Sequence, residues 1–184
     1  MIAVLLILIP LLTGLVAFFM KNERSVRSWT LFSSVLTMTV SILGLTLFKE
    51  DKYLQHQTDW LPALGSSFSV KLDGMGQLLC LLTAIAYPLI ILATWNKSYK
   101  KACNFFALML LAQAGLMGVF LAMDALVFYF FWELAIIPMY FLCSQWGGEK
   151  RIHVTFKFFI YTFIGSLFML IGILYVYAHT ENRS

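Results

Sequence analysis

Charge is what this chain has least of. Asp, Glu, Lys and Arg together make up 12% of its 184 residues, against 61% hydrophobic residues, and the mean hydropathy is +0.84. Soluble domains carry about 25% charged residues, so a water-soluble globular enzyme is excluded and a protein dissolved in a bilayer is implied. Cysteine and histidine are also sparse, with three of each. Cys80, Cys103 and Cys143 lie far apart inside or at the ends of apolar runs, with no C-x-x-C pair and no His at ligand spacing. That pattern argues against a metal centre or a disulfide and for three small apolar residues. A basic groove with interleaved aromatics is missing too, so the net charge of +4 points to lipid headgroups and away from nucleic acid. Low-complexity tracts and linkers are absent, and residues 1–184 read as a single transmembrane region.

What the chain does have is long apolar runs. A hydrocarbon core of about 30 Å needs about 20 apolar residues in a helix. Such runs occur at Ile2–Met20, Trp29–Phe48, Leu78–Trp95, Phe105–Met123, Ala125–Gln145 and Phe156–Tyr177. The expected fold is therefore an all-α membrane protein with six transmembrane helices. The first run has no basic residue before Ile2 and no small-x-small cleavage site before Lys21, so it reads as a retained helix and not a signal peptide.

The one long connection, residues 49–75, contains Phe68, Val70 and Leu72 alternating with Ser67, Ser69 and Lys71. It predicts an extended, hairpin-like segment on the outer face, and Asp73-Gly74 marks the turn into the third helix. Short connections elsewhere make consecutive helices antiparallel neighbours. Basic residues set the orientation: Lys21, Arg24 and Arg27, then Lys97, Lys100 and Lys101, then Lys150 and Arg151 fall in alternate loops. By the positive-inside rule, both termini face away from the cytoplasm.

Glu133 is the only acidic residue deep inside a membrane-length run. A carboxylate at that depth costs roughly 3 kcal/mol on insertion scales and is normally kept only where it faces a bundle interior or water. Pro138, five residues on, cannot donate a backbone hydrogen bond and crowds the carbonyl of Leu134. The resulting kink frees a carbonyl beside the acid, and freed carbonyls in a bundle recruit water, Ser or Thr. A hydrated polar spot beside a carboxyl is what a proton relay requires; the plainer reading is a bend beside a satisfied core acid.

His153, Lys157 and Tyr161 share a face at the start of the sixth helix. The two bases are either snorkelling anchors or part of a proton entrance toward Glu133. Asp124, opening the fifth helix, reads as an interfacial charge favoured by the helix dipole. Ala112, Gly115, Gly118 and Ala122 form a small-residue stripe for close helix packing. Gly165, Ser166 and Gly172 repeat the idea on the sixth helix, which is expected to be enclosed by partners.

The blocks AGLMGVFLAMDALVFYFFWELAIIPMYFLCSQWGG (Ala114 to Gly148) and KFFIYTFIGSLFMLIGIL (Lys157 to Leu174) carry a resemblance. With the upstream WLPALGSSFSVKLDGM and the terminal YVYAHT, they resemble the subunit M (chain 4) family of proton-translocating NADH:quinone oxidoreductase, respiratory complex I. The resemblance covers nearly the whole chain, and the IPMYF wording is similar to bacterial members. It implies the N-terminal part of an antiporter-like helix bundle in the membrane arm of a bacterial inner membrane, associated with the other membrane-arm subunits. It also implies no cofactor in this chain, since NADH, FMN, iron–sulfur clusters and quinone belong to other subunits. Within the family motif the Glu of FWEL, here Glu133, is the essential proton-transfer carboxylate. The family pairs it with a lysine on a seventh helix and adds a second, inverted repeat. This sequence stops after helix six, and Lys157 is no evident replacement, so a fragment or truncated product that does not pump alone is expected. A cation/proton antiporter subunit and a non-catalytic membrane scaffold are the competing readings.

Overall fold

The computed structural model describes residues 1–46, 54–61 and 66–179. Among the described residues, six helices are long and apolar enough to cross a membrane: α1 (Ile2–Phe19), α2 (Glu23–Thr46), α3 (Gly74–Ala93), α4 (Ala102–Leu121), α5 (Ala125–Trp146) and α6 (Arg151–His179). Between α2 and α3 lie the strands β1 (Gln55–Leu61) and β2 (Ser66–Lys71). The fold is an all-α six-helix bundle bearing one antiparallel hairpin.

Several helices begin earlier than their apolar runs. The second starts at Glu23, not Trp29, and the sixth at Arg151, not Phe156. Apolar runs mark the stretch inside hydrocarbon, while the helix continues into the interface wherever its polar residues find partners. Arg27 shows how: it pairs with Glu23 one turn earlier and donates to the carbonyls of Trp95 and Lys97 beyond α3. The third and fourth helices likewise open at Gly74 and Ala102, ahead of Leu78 and Phe105. Leu47, Phe48 and the charged residues Lys49 to Lys52 of the expected loop lie outside the described residues.

The expected extended segment is a true hairpin, with Gln55 opposite Lys71, Thr58 opposite Phe68 and a register irregularity between Asp59 and Leu61. Its alternation works as read: Val70 and Leu72 are buried against Ile2, Leu6, Met117 and Leu121, and Phe68 packs on Phe131 at 6.2 Å between ring centroids. The hairpin closes one end of the bundle. Met123 N–H donates to Ser69 C=O at 2.9 Å, fastening the α4–α5 connection to β2.

α4 is the central helix, buried over most of its length and packed against α1, α2, α3 and α5. Its small-residue stripe is a contact surface. A Cβ on Gly115 would lie 2.7 Å from the Ala135 backbone, and one on Gly118 only 2.2 Å from the Phe131 ring. Only backbone-bare positions let α5 approach this closely. α6 packs on α5, and of its residues only Thr155 and Ser166 are buried. A Cβ on Gly165 or Gly172 would meet nothing within 4 Å, so the face expected to be enclosed is open in this chain.

The basic loop residues gather at the end of the bundle opposite the hairpin. Trp146 donates its indole N–H to Lys100 C=O at 2.9 Å there, and Arg27 reaches the Trp95–Lys97 turn. Antiparallel packing thus collects three separate basic stretches into one charged rim.

Candidate functional site

α5 is positioned at its start by Asp124. Its Oδ1 accepts from the backbone N–H groups of Leu126 (2.8 Å) and Val127 (3.2 Å), and from the Ser66 hydroxyl (2.9 Å). This is an N-cap with a tie to the hairpin, in keeping with the interfacial reading of Asp124. Nine residues later, about 13 Å along the axis, α5 presents Glu133.

Glu133 is half-buried, and its Oε1 is buried with no hydrogen-bond partner among the described residues. A buried carboxyl oxygen left in that state costs free energy unless the carboxyl holds a proton or receives a donor. One turn earlier on the same helix stands Tyr129, half-buried. On α6, Ser166 is buried and donates to Phe163 C=O at 2.8 Å.

The rest of the neighbourhood is apolar. Toward α1, a cavity of about 300 Å³ is lined by Val4, Ile7, Leu11, Phe130, Phe131 and Leu134, among others. Toward α4 and α6, a groove of about 550 Å³ runs between residues that include Leu116, Trp132, Ile136, Met139 and Phe158. Pro138 is buried within α5; its ring leaves the Leu134 carbonyl without its usual helical donor.

The sequence-predicted residues do not all converge. Glu133 and Pro138 share α5, but Lys157 is exposed and its ammonium sits over the Tyr161 ring, 5.9 Å from the centroid. Lys157 lies nine residues before Ser166, about 13 Å along α6. His153 is exposed at the start of the same helix, in a shallow polar pocket with Glu149, Lys150 and Arg151. Their surroundings are those of interfacial anchors.

Three polar features escaped the sequence reading. Tyr129 was detectable from its i, i+4 spacing to Glu133. α2 buries Thr30, Ser33, Ser34, Thr37 and Ser41 on one face, and there the Ser33 and Thr13 hydroxyls lie 2.5 Å apart. The period of those hydroxyls is helical and was legible. Gln113 is completely buried in α4 with neither amide atom partnered among the described residues; as the only polar side chain in the run Phe105–Met123 it was legible. Among the described residues, no three His, Cys, Asp or Glu side chains gather as a metal site.

Comparison with known proteins adds an independent line. Residues 122–183 match the family model described as NADH:quinone oxidoreductase/Mrp antiporter, TM. The chain is 38% identical over its whole length to the F(420)H(2) dehydrogenase subunit M of Methanosarcina mazei, and spans 38% of that protein. It is 32% identical to the NADH-quinone oxidoreductase subunit M of Buchnera aphidicola subsp. Schizaphis graminum, with 92% of the chain aligned to 37% of the relative. In three dimensions, 95% of the chain superposes on 35% of a chain in respiratory complex I from Thermus thermophilus, with a TM-score of 0.83 and 28% identity. The chain thus spans well under half the length of these relatives.

Proposed function

Since the chain belongs to the antiporter-like subunit-M family of NADH:quinone oxidoreductase, we propose that it forms part of a membrane-arm subunit that couples electron transfer elsewhere in a complex to proton translocation through Glu133. The observation that carries this reading is the Glu133 carboxyl, held within a membrane-length helix with one oxygen buried and unpartnered among the described residues. An acid kept at that cost is a functional group by default. Proton loading is the chemistry an otherwise apolar pocket supports.

The division of labour follows from the side chains. Redox chemistry, with its NADH, flavin, iron–sulfur clusters and quinone, is assigned to partner subunits. This chain contributes a carboxyl and the helices that hold it. The electron donor is a property of those partners, as relatives named for F(420)H(2) and for NADH illustrate. The basic rim is placed on the cytoplasmic side and the hairpin outside, with both termini outside, in the cell membrane of a prokaryote. The partner surfaces are the open face of α6 at Gly165 and Gly172 and the apolar groove beside α5.

The matching family description also names antiporters, which would exchange ions without any redox partner. The two readings separate on co-purification. Tagged and extracted from its native membrane in mild detergent, the complete protein is expected to carry redox subunits and quinone reductase activity with it. Recovery as a homo-oligomer that exchanges Na⁺ for H⁺ in liposomes would replace the oxidoreductase reading with the antiporter one.

A further inference from the structure

We infer that Gln113 belongs to a buried water-binding site between α2, α3 and α4, on the side of α4 away from Glu133. Its amide is completely buried, and neither the nitrogen nor the oxygen has a partner among the described residues. Two fixed points on α4 locate it, each seven residues away, so nearly on the same face and about 10 Å along the axis. Phe106 lies beneath the Arg27 guanidinium of α2, 5.9 Å from ring centroid to Cζ. The Phe120 carbonyl lies against α3, 2.9 Å from where a Cβ on Gly76 would stand. α2 and α4 both start at the basic rim and α3 ends there, and the three helices pack on one another. Seven residues on from Arg27 is Ser34, and seven on from Gly76 is Thr83. Both are buried, so two hydroxyl-bearing positions share the depth and the side of α4 that Gln113 occupies. Gly115, two residues further on, faces α5 from the opposite side.

What this cluster is short of is donors. A hydroxyl has one proton to give. Ser34 gives its proton to Leu31 C=O at 2.9 Å, Thr83 to Leu79 C=O at 2.9 Å, and Thr30, one turn before Ser34, to Val26 C=O at 2.8 Å. Each of these oxygens can then only accept. Pro88, buried in α3, leaves the Ala84 carbonyl next to Thr83 without its usual helical donor. Gln113 brings two N–H groups for such oxygens, but its own carbonyl needs a donor, and none of these side chains supplies one. At the rim the shortage is reversed: Arg27 Nε is buried and unpartnered among the described residues, a donor with no acceptor. Arg27, Thr30 and Ser34 lie along one face of α2. The row runs from a donor in need of an acceptor to a carbonyl in need of a donor, and water, which is both, satisfies each end.

The ligand is water and not a cation. No carboxylate stands among the hydroxyls of the row, and the charge at its mouth, the Arg27 guanidinium, is positive and already paired with Glu23. A metal ion stripped of water among neutral oxygens beside that guanidinium is opposed by desolvation and by repulsion together. The site is also separate from Glu133, because α4 stands between them with Gly115 and Gly118 turned to α5. The inference is therefore independent of proton transfer at that carboxyl. Water held here ties α2, α3 and α4 together through polar contacts that the otherwise apolar α4 cannot make alone.

The test is a cryo-electron microscopy map of the complete protein in its native assembly, at a resolution that shows ordered water elsewhere in the membrane region. Wild type is compared with Gln113→Leu, which keeps the volume of the side chain and removes both polar atoms. Wild type should show water density within about 3 Å of the Gln113 amide and in reach of the Ser34 or Thr83 oxygen, and the variant should lose it. If Gln113→Leu does not assemble, Gln113→Met, unbranched like the natural side chain, takes its place. An amide bonded directly to protein groups, an amide with no density beside it, or density that persists in the variant overturns the inference. None of these outcomes touches the proposed function, which is decided separately by proton uptake in Glu133→Gln.

Discussion

Two acidic residues on one helix have opposite fates, and the difference lies in their partners. Asp124 gives its Oδ1 to two backbone N–H groups and a serine hydroxyl, a fully used N-cap. Glu133 has a carboxyl oxygen that is buried and unpartnered among the described residues. Satisfied carboxylates hold structure, while unsatisfied ones invite a proton. Glu133→Asp keeps the ionisable group but withdraws it by one methylene from any incoming donor. Redox-driven proton uptake by this variant is expected to fall below wild type while staying above that of Glu133→Gln; equal uptake in Asp and wild type would mean that reach is immaterial. At this scale the sequence was informative about cost and silent about contact. An acid in FYFFWEL is conspicuous because hydrocarbon penalises it. Ser166 was visible only as a small residue beside Gly165, because its burial depends on which face α6 turns to α5. Gln113 could have been singled out on the same ground as Glu133, as the only polar side chain in the run Phe105–Met123.

Among the elements, α4 and α6 represent two uses of glycine. Gly115 and Gly118 sit under Ala135 and Phe131, with no room for a Cβ. Gly118→Val should therefore destabilise the complete protein by about 2 kcal/mol, the usual range for overpacking a filled interface, read as a lower thermal midpoint in detergent. Gly172→Ala meets nothing within this chain, so any loss it causes should appear as weakened association with whatever covers α6. Equal midpoints for Gly118→Val and wild type would show that the α4–α5 contact is looser than described. The α4 stripe could be read in advance because small residues at helical spacing have a single physical use in a membrane. Helix ends were less legible: hydropathy locates hydrocarbon, whereas the start of α2 at Glu23 is set by the Arg27 hydrogen bonds to a distant loop. The hairpin was foreseen from the alternation of Phe68, Val70 and Leu72, and its anchoring on Asp124 was not, because that contact joins residues 58 positions apart in sequence.

For the whole molecule, composition decides the solvent and charge placement decides the orientation. The three basic stretches meet at one end of the bundle, opposite the hairpin, which gives the positive-inside rule a single rim to act on. A reporter active only outside the cytoplasm should work when fused after Asp59 and fail when fused after Lys100; the inverse pattern would turn the molecule over. The bundle is proposed to hold one protonatable carboxyl, that of Glu133, within the membrane. The most direct test is proton uptake per electron transferred in vesicles containing the assembled complex with Glu133→Gln, a change that keeps size and hydrogen-bonding capacity while removing the titratable proton. Normal assembly is expected, with proton uptake and coupled quinone reduction sharply reduced; wild-type uptake in that variant would remove Glu133 from the mechanism and leave the chain a scaffold.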